Sequence, residues 1–397
     1  MATLARMAVE RQPGPKILVR TLMRTTSPRH LNYGGLLQAW ALQRTLRDQG
    51  FECATDESRP DVPARTTRLR AALMTVSRVA PPKFVPMRAV RADVEEALNE
   101  NLLQFGREEL DRVRLFGEDG RLNEDVLSGF DGLVSGSDQI WRSDYGDVLS
   151  YLFDFVPDSF SGPRVAYAAS FGSDEPPFDS PAYSNGARDA ARKLTAVSVR
   201  EDSAVELTRR LWEVDAERVL DPTLLLRPGD YLDGLANEAR EARGAIVTYV
   251  LDPSPEKLDL KTRLAAELSS PVYDLLPPVP TDFAEFVASR ETYVRPPVGT
   301  WVGAISEAKC VLTDSFHGCA FAVLFSRPFL VVPNHQRGLA RFESLLRLVG
   351  LEDRFVSDGD IGTQMQAPID WERVHAALDI DRDRSLRFLR SALNVSI

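Results

Sequence analysis

Four short polar stretches combine residue types that can bind an anion or move a proton. The first is Asn32-Tyr33-Gly34-Gly35, directly ahead of a helical pattern that begins at Leu36. Free backbone N–H groups and the helix dipole at such an entry favour negative charge. The two glycines would let a ligand approach the backbone, although an ordinary helix entry explains them equally well. The second is Ser135-Gly136-Ser137-Asp138-Gln139-Ile140-Trp141. It offers a carboxylate and an amide to sugar hydroxyls, or forms a plain Asx turn with Asp138 as the cap. The third is Ser198-Val199-Arg200-Glu201-Asp202-Ser203. Ser203 and Glu206 fit a capping box, which puts Arg200 at a strand-to-helix corner. An arginine there can grip a carboxylate or phosphate through two N–H groups, or pair structurally with Glu201 or Asp202. The fourth is Thr313-Asp314-Ser315-Phe316-His317-Gly318. With Asp314 or Ser315 as the cap, His317 falls in the first turn of a helix, at a second anion-favouring end. Most lone histidines are structural; this one sits among polar residues at a strand end. His335, with Asn334, Arg337 and Arg341, follows another strand and could hold an acceptor. His30 lies upstream of Asn32, and His375 falls on a C-terminal helix at the surface. HExxH, GxxxxGK[ST] and GxSxG are all missing, as are clustered His/Cys ligands, which argues against zinc hydrolase, P-loop and α/β-hydrolase chemistry.

The elements that must position these loops alternate between strand and helix. Strands are expected at Ile17-Leu18-Val19, Phe51 to Ala54, Gly132-Leu133-Val134, Tyr151-Leu152-Phe153, Val165 to Ala168 and Ala196 to Val199. Helices are expected at Leu36 to Gln49, closed by Gly50, at Val94 to Val113 and at Ala204 to Leu211. After a polar linker from Arg227 to Gly244 a second alternating unit begins. Its strands are Ala245 to Val250, Val272 to Leu275, Cys310 to Thr313 and Phe329 to Val332, and its helices Leu258 to Leu268, Phe283 to Ser289 and Cys319 to Phe325. A helix from Trp371 to Leu393 closes the chain. Such alternation implies parallel sheets covered on both faces, with ligands beyond the carboxyl ends of the strands. The expected class is α/β, two Rossmann-like αβα domains facing a cleft. Residues 15–228 form the first, with a basic insertion at about 56–91; residues 244–370 form the second, and 371–397 a helical segment.

A chain of 397 residues suits about two to three domains. Its 44% hydrophobic and 27% charged residues exclude wholesale disorder, collagen and coiled-coil rods. A net charge of -10 argues against nucleic acid as the main partner. The exception is local: Arg65, Arg68, Arg70, Arg78, Lys83 and Arg88 face only Asp61 between Arg59 and Arg91. That run reads as a solvated loop, or as a landing strip for an anionic acceptor or membrane surface. Cys53, Cys310 and Cys319 show no CxxC spacing, which suggests a reducing compartment. The first residues carry no signal-peptide pattern, and no 18-residue apolar run occurs. The reading is a cytoplasmic protein, with peripheral contact at the inner membrane face as an open extension.

In this order the loops resemble the polysaccharide pyruvyl transferase family. The matching stretches are Asn32-Tyr-Gly-Gly-Leu-Leu-Gln-Ala-Trp-Ala-Leu-Gln-Arg, Gly136-Ser-Asp-Gln-Ile-Trp, Tyr167-Ala-Ala-Ser-Phe-Gly, Ser198-Val-Arg-Glu-Asp-Ser, Leu220-Asp-Pro-Thr-Leu-Leu and Thr313-Asp-Ser-Phe-His-Gly. The resemblance runs from about Ile17 to about Phe355. The resemblance implies a two-domain, GT-B-like protein that moves pyruvyl from phosphoenolpyruvate onto two hydroxyls of one sugar and releases phosphate. It implies His317 as the acid that protonates the donor, Arg200 as its anion holder and Asp138 as the third catalytic group. Asn32, Gly34, Gly35, Ser315 and Gly318 would line the donor. Gln139, Trp141, His335 and Arg337 would meet the acceptor, a free or lipid-linked saccharide. No cofactor or metal is expected. There is a departure: several members carry an arginine two residues before the histidine, where this chain has Ser315, and Arg337 or Arg341 could stand in. The alternatives are a GT-B glycosyltransferase using a nucleotide sugar and a non-catalytic member that binds an anion.

Overall fold

The structure is a computed structural model that describes residues 14–23, 31–58, 87–143, 145–172, 181–237, 239–356 and 360–393. Seven parallel strands form the first sheet: β1 (Lys16–Arg20), β2 (Glu52–Asp56), β3 (Arg112–Val113), β4 (Gly132–Ser135), β5 (Arg164–Ala169), β6 (Ala196–Val199) and β7 (Glu217–Arg218). Their order is β3-β2-β1-β4-β5-β6-β7, so the chain reverses its direction of growth between β1 and β4. There Ile17 stands beside Gly132 and Arg20 beside Ser135. The second sheet holds β8 (Ile246–Tyr249), β9 (Val272–Asp274), β10 (Cys310–Thr313) and β11 (Phe329–Val331), in the order β11-β10-β8-β9. It too is parallel throughout, with Thr313 beside Tyr249 and Val331. The expected fold class is therefore the observed one. Crevices open beyond the carboxyl ends of strands at such reversals; the polar loops after β1, β4 and β10 lie there, and the loop after β6 lies two strands from β4 along the same edge.

Helix α1 (Tyr33–Asp48) starts where Asn32 Oδ1 accepts the Gly35 N–H at 2.8 Å and ends before Gly50, whose φ of +93° suits only glycine. It is buried on nearly every side and packs against β2 and the Pro222–Leu224 turn. The basic insertion expected at 56–91 lies largely outside the described residues. Its flanks are β2, which runs to Asp56, and α2 (Met87–Leu98), which starts seven residues before the expected helix. A further helix, Glu100–Glu108, precedes β3, so the expected run from Val94 to Val113 is a helix pair and a strand. Tyr151-Leu152-Phe153 is not a strand. Asp147 accepts the Leu149 N–H at 3.2 Å and starts a helical turn, Val148–Tyr151. A three-residue apolar run carries no periodicity to separate the two outcomes. The Arg227–Gly244 linker holds short helices at Pro228–Leu232 and Arg240–Ala242.

Helix α3 (Asp202–Trp212) follows β6; its N-cap is Glu201, so Ser203 lies inside the first turn and the expected capping box does not form. Helix α4 (Val298–Glu307) has no counterpart in the sequence reading. Eight of the ten residues of VGTWVGAISE are buried and only Thr300 and Glu307 are half-buried, so the helix shows hardly any polar face. Helix α5 (Phe316–Leu324) follows β10, and α6 (Ala340–Val349) follows β11. The last helix, α7 (Trp371–Ala392), packs back on the first sheet's domain. Ser385 Oγ accepts the Leu220 N–H at 3.0 Å, and Arg382 Nε donates to the Leu224 carbonyl at 3.0 Å. Among the described residues no helix is long and apolar enough to cross a membrane.

One apolar core runs through both domains, from Ile17 and Leu36 to Phe321 and Leu346. Trp301 of α4 is its pivot. Its ring stacks on Tyr33 of α1 at 5.5 Å and meets Tyr249 and Phe321 edge-on at 5.2 and 5.0 Å. Tyr33 also donates its hydroxyl to the Pro296 carbonyl at 2.7 Å. Trp301→Ala should therefore cost about 3–5 kcal/mol, the usual range for a buried tryptophan. A lowered urea midpoint checks this, and an unchanged midpoint refutes the pivot role.

Candidate functional site

The site is built from the ends of β4, β6, β7 and β10. After β4 the chain turns sharply at Gly136, whose φ is +125° and where a Cβ would sit 1.9 Å from the Tyr167 carbonyl oxygen. Asp138 follows with a φ of 75°, a left-handed conformation that aspartate tolerates better than most residues. Its backbone is held there by the Ser170 N–H, 3.1 Å from the Asp138 carbonyl. Arg200 leaves the end of β6 with its N–H on the Ala169 carbonyl at 3.0 Å. Its guanidinium forks between two carboxylates. Nη2 donates to Asp138 Oδ1 at 2.9 Å and Nη1 to Asp221 Oδ2 at 2.6 Å. Asp221 in turn accepts the N–H and hydroxyl of Thr223 at 2.9 and 2.7 Å, and Ser137 Oγ lies 3.2 Å from its Oδ2.

His317 enters from the second domain, in the first turn of α5 as the sequence suggests. Its Nε2 lies 3.8 Å from Asp221 Oδ2 and has no hydrogen-bond partner among the described residues. Its other face rests on α1, where a Cβ on Gly34 would fall 2.0 Å from Nδ1. Gly34 is thus needed for the approach of the imidazole. Phe316 supplies the floor: the Arg200 guanidinium carbon is 4.7 Å and that of Arg341 5.7 Å from its ring centroid. Arg341, at the start of α6, brings Nη1 to 3.8 Å from Asp138 Oδ1.

These groups are buried, and their charges set one another. Burial alone would raise the Asp138 carboxyl; Arg200, His317 and Arg341 outweigh it and hold it below the usual carboxylate range. Burial would also raise Asp221, but His317, Arg200 and the Thr223 N–H hold it well below. Burial works against the Arg200 charge, yet Asp138, Asp221 and Glu201 keep its pKa above the ordinary arginine value. Glu201 is the exception. Burial pushes its carboxyl up despite Arg200 and Arg341, and despite bonds from Ser170 Oγ at 2.8 Å and Phe171 N at 2.9 Å.

His317, Arg200 and Asp138 thus converge from three loops. The other sequence-derived residues divide. Gly35 lies at the same helix entry, but its N–H is taken by Asn32 Oδ1, so neither Asn32 nor that amide stands ready for a donor as the sequence suggests. Ser315 is buried at the N-cap of α5 without capping it; its own N–H goes to Thr313 Oγ1 at 3.0 Å. Asp314 does not cap α5 either and serves the second domain, accepting Leu251 N at 2.6 Å and Lys257 Nζ at 2.6 Å. Gly318 is a packing glycine, since a Cβ would come within 2.3 Å of Thr313 Oγ1. Gln139 Nε2 donates to the Arg337 carbonyl at 3.1 Å and so ties the first domain to the loop after β11. Trp141 cannot meet an acceptor: it is fully buried, with ring contacts to Phe171 at 5.1 Å and Trp212 at 4.8 Å. His335 is exposed on the turn His335–Arg337, and Arg337 pairs with both carboxylate oxygens of Asp252. Arg200 pairs with neither Glu201 nor Asp202; Asp202 meets Arg218 and Arg347. His30 lies outside the described residues. Sequence reasoning gave no role to Asp221, Phe316 or Ser137. Asp221 carried a signal, because Asp-Pro-Thr directly after a strand reads as a side-chain cap.

The sequence profile of the polysaccharide pyruvyl transferase family matches residues 32–336, which span every loop of this cluster. The chain belongs to the polysaccharide pyruvyl transferase family. No curated protein matches the chain. Solved structures similar in outline include the glycotransferase of kitacinnamycin, with 12% identity, 96% of this chain and 100% of that one covered, and a TM-score of 0.43. They also include MnaA of S. aureus with UDP (11% identity, 96% and 97% covered, TM-score 0.44) and the UDP-GlcNAc 2-epimerase of Neisseria meningitidis (8% identity, 95% and 99% covered, TM-score 0.45).

The charge pattern predicts opposite roles for the two unexplored carboxyls. Asp221 is depressed in the folded state. Its contribution is full above the ordinary aspartate value of 3.8 and is lost as pH falls through its folded value. Glu201 is raised, so it favours folding below its ordinary value of 4.5 and loses that contribution as pH rises through its folded value. Asp221→Asn should cost about 3–5 kcal/mol at pH 7, because Arg200 keeps only one carboxylate. Glu201→Gln should cost less than about 1 kcal/mol, since the amide oxygen can accept the same two bonds. Denaturant titrations at pH 7 and at about pH 3, below the ordinary aspartate value, check both: the Asp221→Asn deficit should shrink at the lower pH, and an equal deficit at the two would refute the assignment.

Proposed function

We propose that the chain transfers pyruvyl from phosphoenolpyruvate onto two hydroxyls of one saccharide, forms a cyclic ketal and releases phosphate. The observation that carries this reading is the meeting of His317, from one domain, with the Arg200–Asp221 pair of the other, 3.8 Å away. Family membership gives the reaction class its standing.

The donor is an enol phosphate with a carboxylate. A proton delivered to C3 turns C2 into an oxocarbenium-like centre. His317 is placed to give that proton from Nε2, the nitrogen without a partner among the described residues. The Asp221 carboxylate faces the ring and would stabilise the imidazolium before transfer. The first sugar hydroxyl then adds to C2, and the imidazole recovers its proton. The second hydroxyl displaces phosphate from C2, and its proton leaves with the phosphate. Two hydroxyl protons are thus accounted for, one restoring the histidine that supplied C3 and one carried off by the product anion. Arg200, pinned by Asp138 and Asp221, orients the donor's anion from a fixed position as phosphate departs, a contribution fixed dipoles and charges make best in a buried site. Asp138 holds the Arg200 fork open toward the seam.

His317→Ala should keep the fold and donor binding and lower turnover at least about 100-fold, the scale of a positioned acid. Arg200→Ala should do more than weaken the donor. It strands Asp138 and Asp221 together, so a lower melting point should accompany the lost binding. Phosphate release from phosphoenolpyruvate with a saccharide panel, alongside melting curves, reads both. Full turnover by His317→Ala would end its assignment as the acid. Stabilisation by a nucleotide sugar and not by phosphoenolpyruvate would move the chain to glycosyl transfer.

A further inference from the structure

We propose that Arg341 is the arginine that completes the anion site, and that it takes a carboxylate or phosphate oxygen of the donor. The inference rests on the phosphoenolpyruvate reading above for the name of the ligand, and on geometry for the site.

Arg341 is 6% exposed, yet its charge is poorly matched. Among the described residues its one direct hydrogen bond runs from Nη2 to the Arg337 carbonyl at 2.7 Å. Its nearest carboxylate oxygen, Asp138 Oδ1 at 3.8 Å, is already held by Arg200 at 2.9 Å. Nε has no hydrogen-bond partner among the described residues. The second carboxylate nearby is Glu201, which accepts bonds from Ser170 Oγ and Phe171 N and makes none with Arg341 among the described residues. Burial and the like charge of Arg200 bring the Arg341 guanidinium down to about 10. Arg200, by contrast, is hydrogen-bonded directly to two carboxylates. Two guanidiniums therefore flank Phe316, one compensated and one not, on the side of the cluster where His317 stands edge-on to the same ring at 5.4 Å. A buried cation in that state costs stability until an anion meets it. A donor anion between the two arginines supplies the missing charge and sets C3 near the imidazole.

This makes a prediction that a structural arginine would not. Arg341→Met in the full chain should leave the melting point of the free protein unchanged or raised, while weakening phosphoenolpyruvate binding by about 10- to 100-fold, the loss of a charge-assisted hydrogen bond. Calorimetric titration with phosphoenolpyruvate, inorganic phosphate and pyruvate reads the affinity. Loss confined to phosphate assigns the phosphate to Arg341; loss confined to pyruvate assigns the carboxylate. Wild-type affinity in Arg341→Met overturns the proposal and leaves the donor reading standing. If the wild type ignores phosphoenolpyruvate but binds another anion that Arg341→Met loses, the donor reading fails and the site stands. Silence of the wild type toward every anion overturns the site. Should Arg341→Met not fold, Arg341→Lys decides. An unchanged melting point with at least about tenfold weaker binding supports the proposal, and wild-type affinity refutes it.

Discussion

Arg200 puts a full positive charge where only 4% of the residue meets solvent, and a buried guanidinium is tolerated only when its donors are matched. Much of the local architecture follows from that demand. Asp138 reaches it only because Gly136 turns the chain where a side chain would collide with Tyr167, and because Asp138 accepts a left-handed backbone. Asp221 reaches it from the far side, after β7, with its other oxygen fixed by Thr223. Both carboxylates therefore stay ionised in a place where burial alone would neutralise them. Once ionised, Asp221 presents negative charge to His317 across the seam. The second domain's histidine thus meets a fixed electrostatic partner that the first domain has already assembled.

The polar cluster depends on an apolar one beside it. Helix α1 of the first and α4 of the second share one core, with Tyr33 stacked on Trp301. That contact fixes the start of α1, and the start of α1 is where Gly34 admits the imidazole. A glycine that reads in the sequence as an anion cradle thus acts mainly as clearance for a ring. Packing and chemistry are joined at one residue: the absence of a Cβ lets a side chain from another domain come within 3.8 Å of a buried carboxylate.

How much of this was legible follows from what sequence patterns encode. The parallel α/β class and the places of His317, Arg200 and Asp138 at strand ends come from local alternation, which chain order alone reveals. The partners do not. Arg200 stands next to Glu201 and Asp202 in the sequence, and it uses neither. It uses residues 62 positions before and 21 after it, a choice made by sheet order. Trp141 follows Asp138 and Gln139 closely enough to suggest one surface, but the turn sends it into the core against Phe171 and Trp212. Helix α4 escaped notice because a helix buried on nearly every face has no apolar stripe. Between Arg337 and Arg341, four residues apart, the sequence offers no choice. The structure makes one: Arg337 is turned onto Asp252, and Arg341 into the cluster.

That choice has a consequence for how the site is assembled. An arginine beside His317 would move with α5 alone. Arg341 instead begins α6, and the loop ahead of it is bound to the first domain through Gln139 Nε2 and the Arg337 carbonyl. The same carbonyl accepts a bond from Arg341 Nη2. One oxygen therefore couples a side chain of the first domain to the position of a second-domain guanidinium. Separation of the domains would break the Gln139 bond and draw His317 away from Asp221 together with Arg341 from Asp138. His317 and Arg341 are thus held in place by the same seam. Coupling of this kind needs no separate lid.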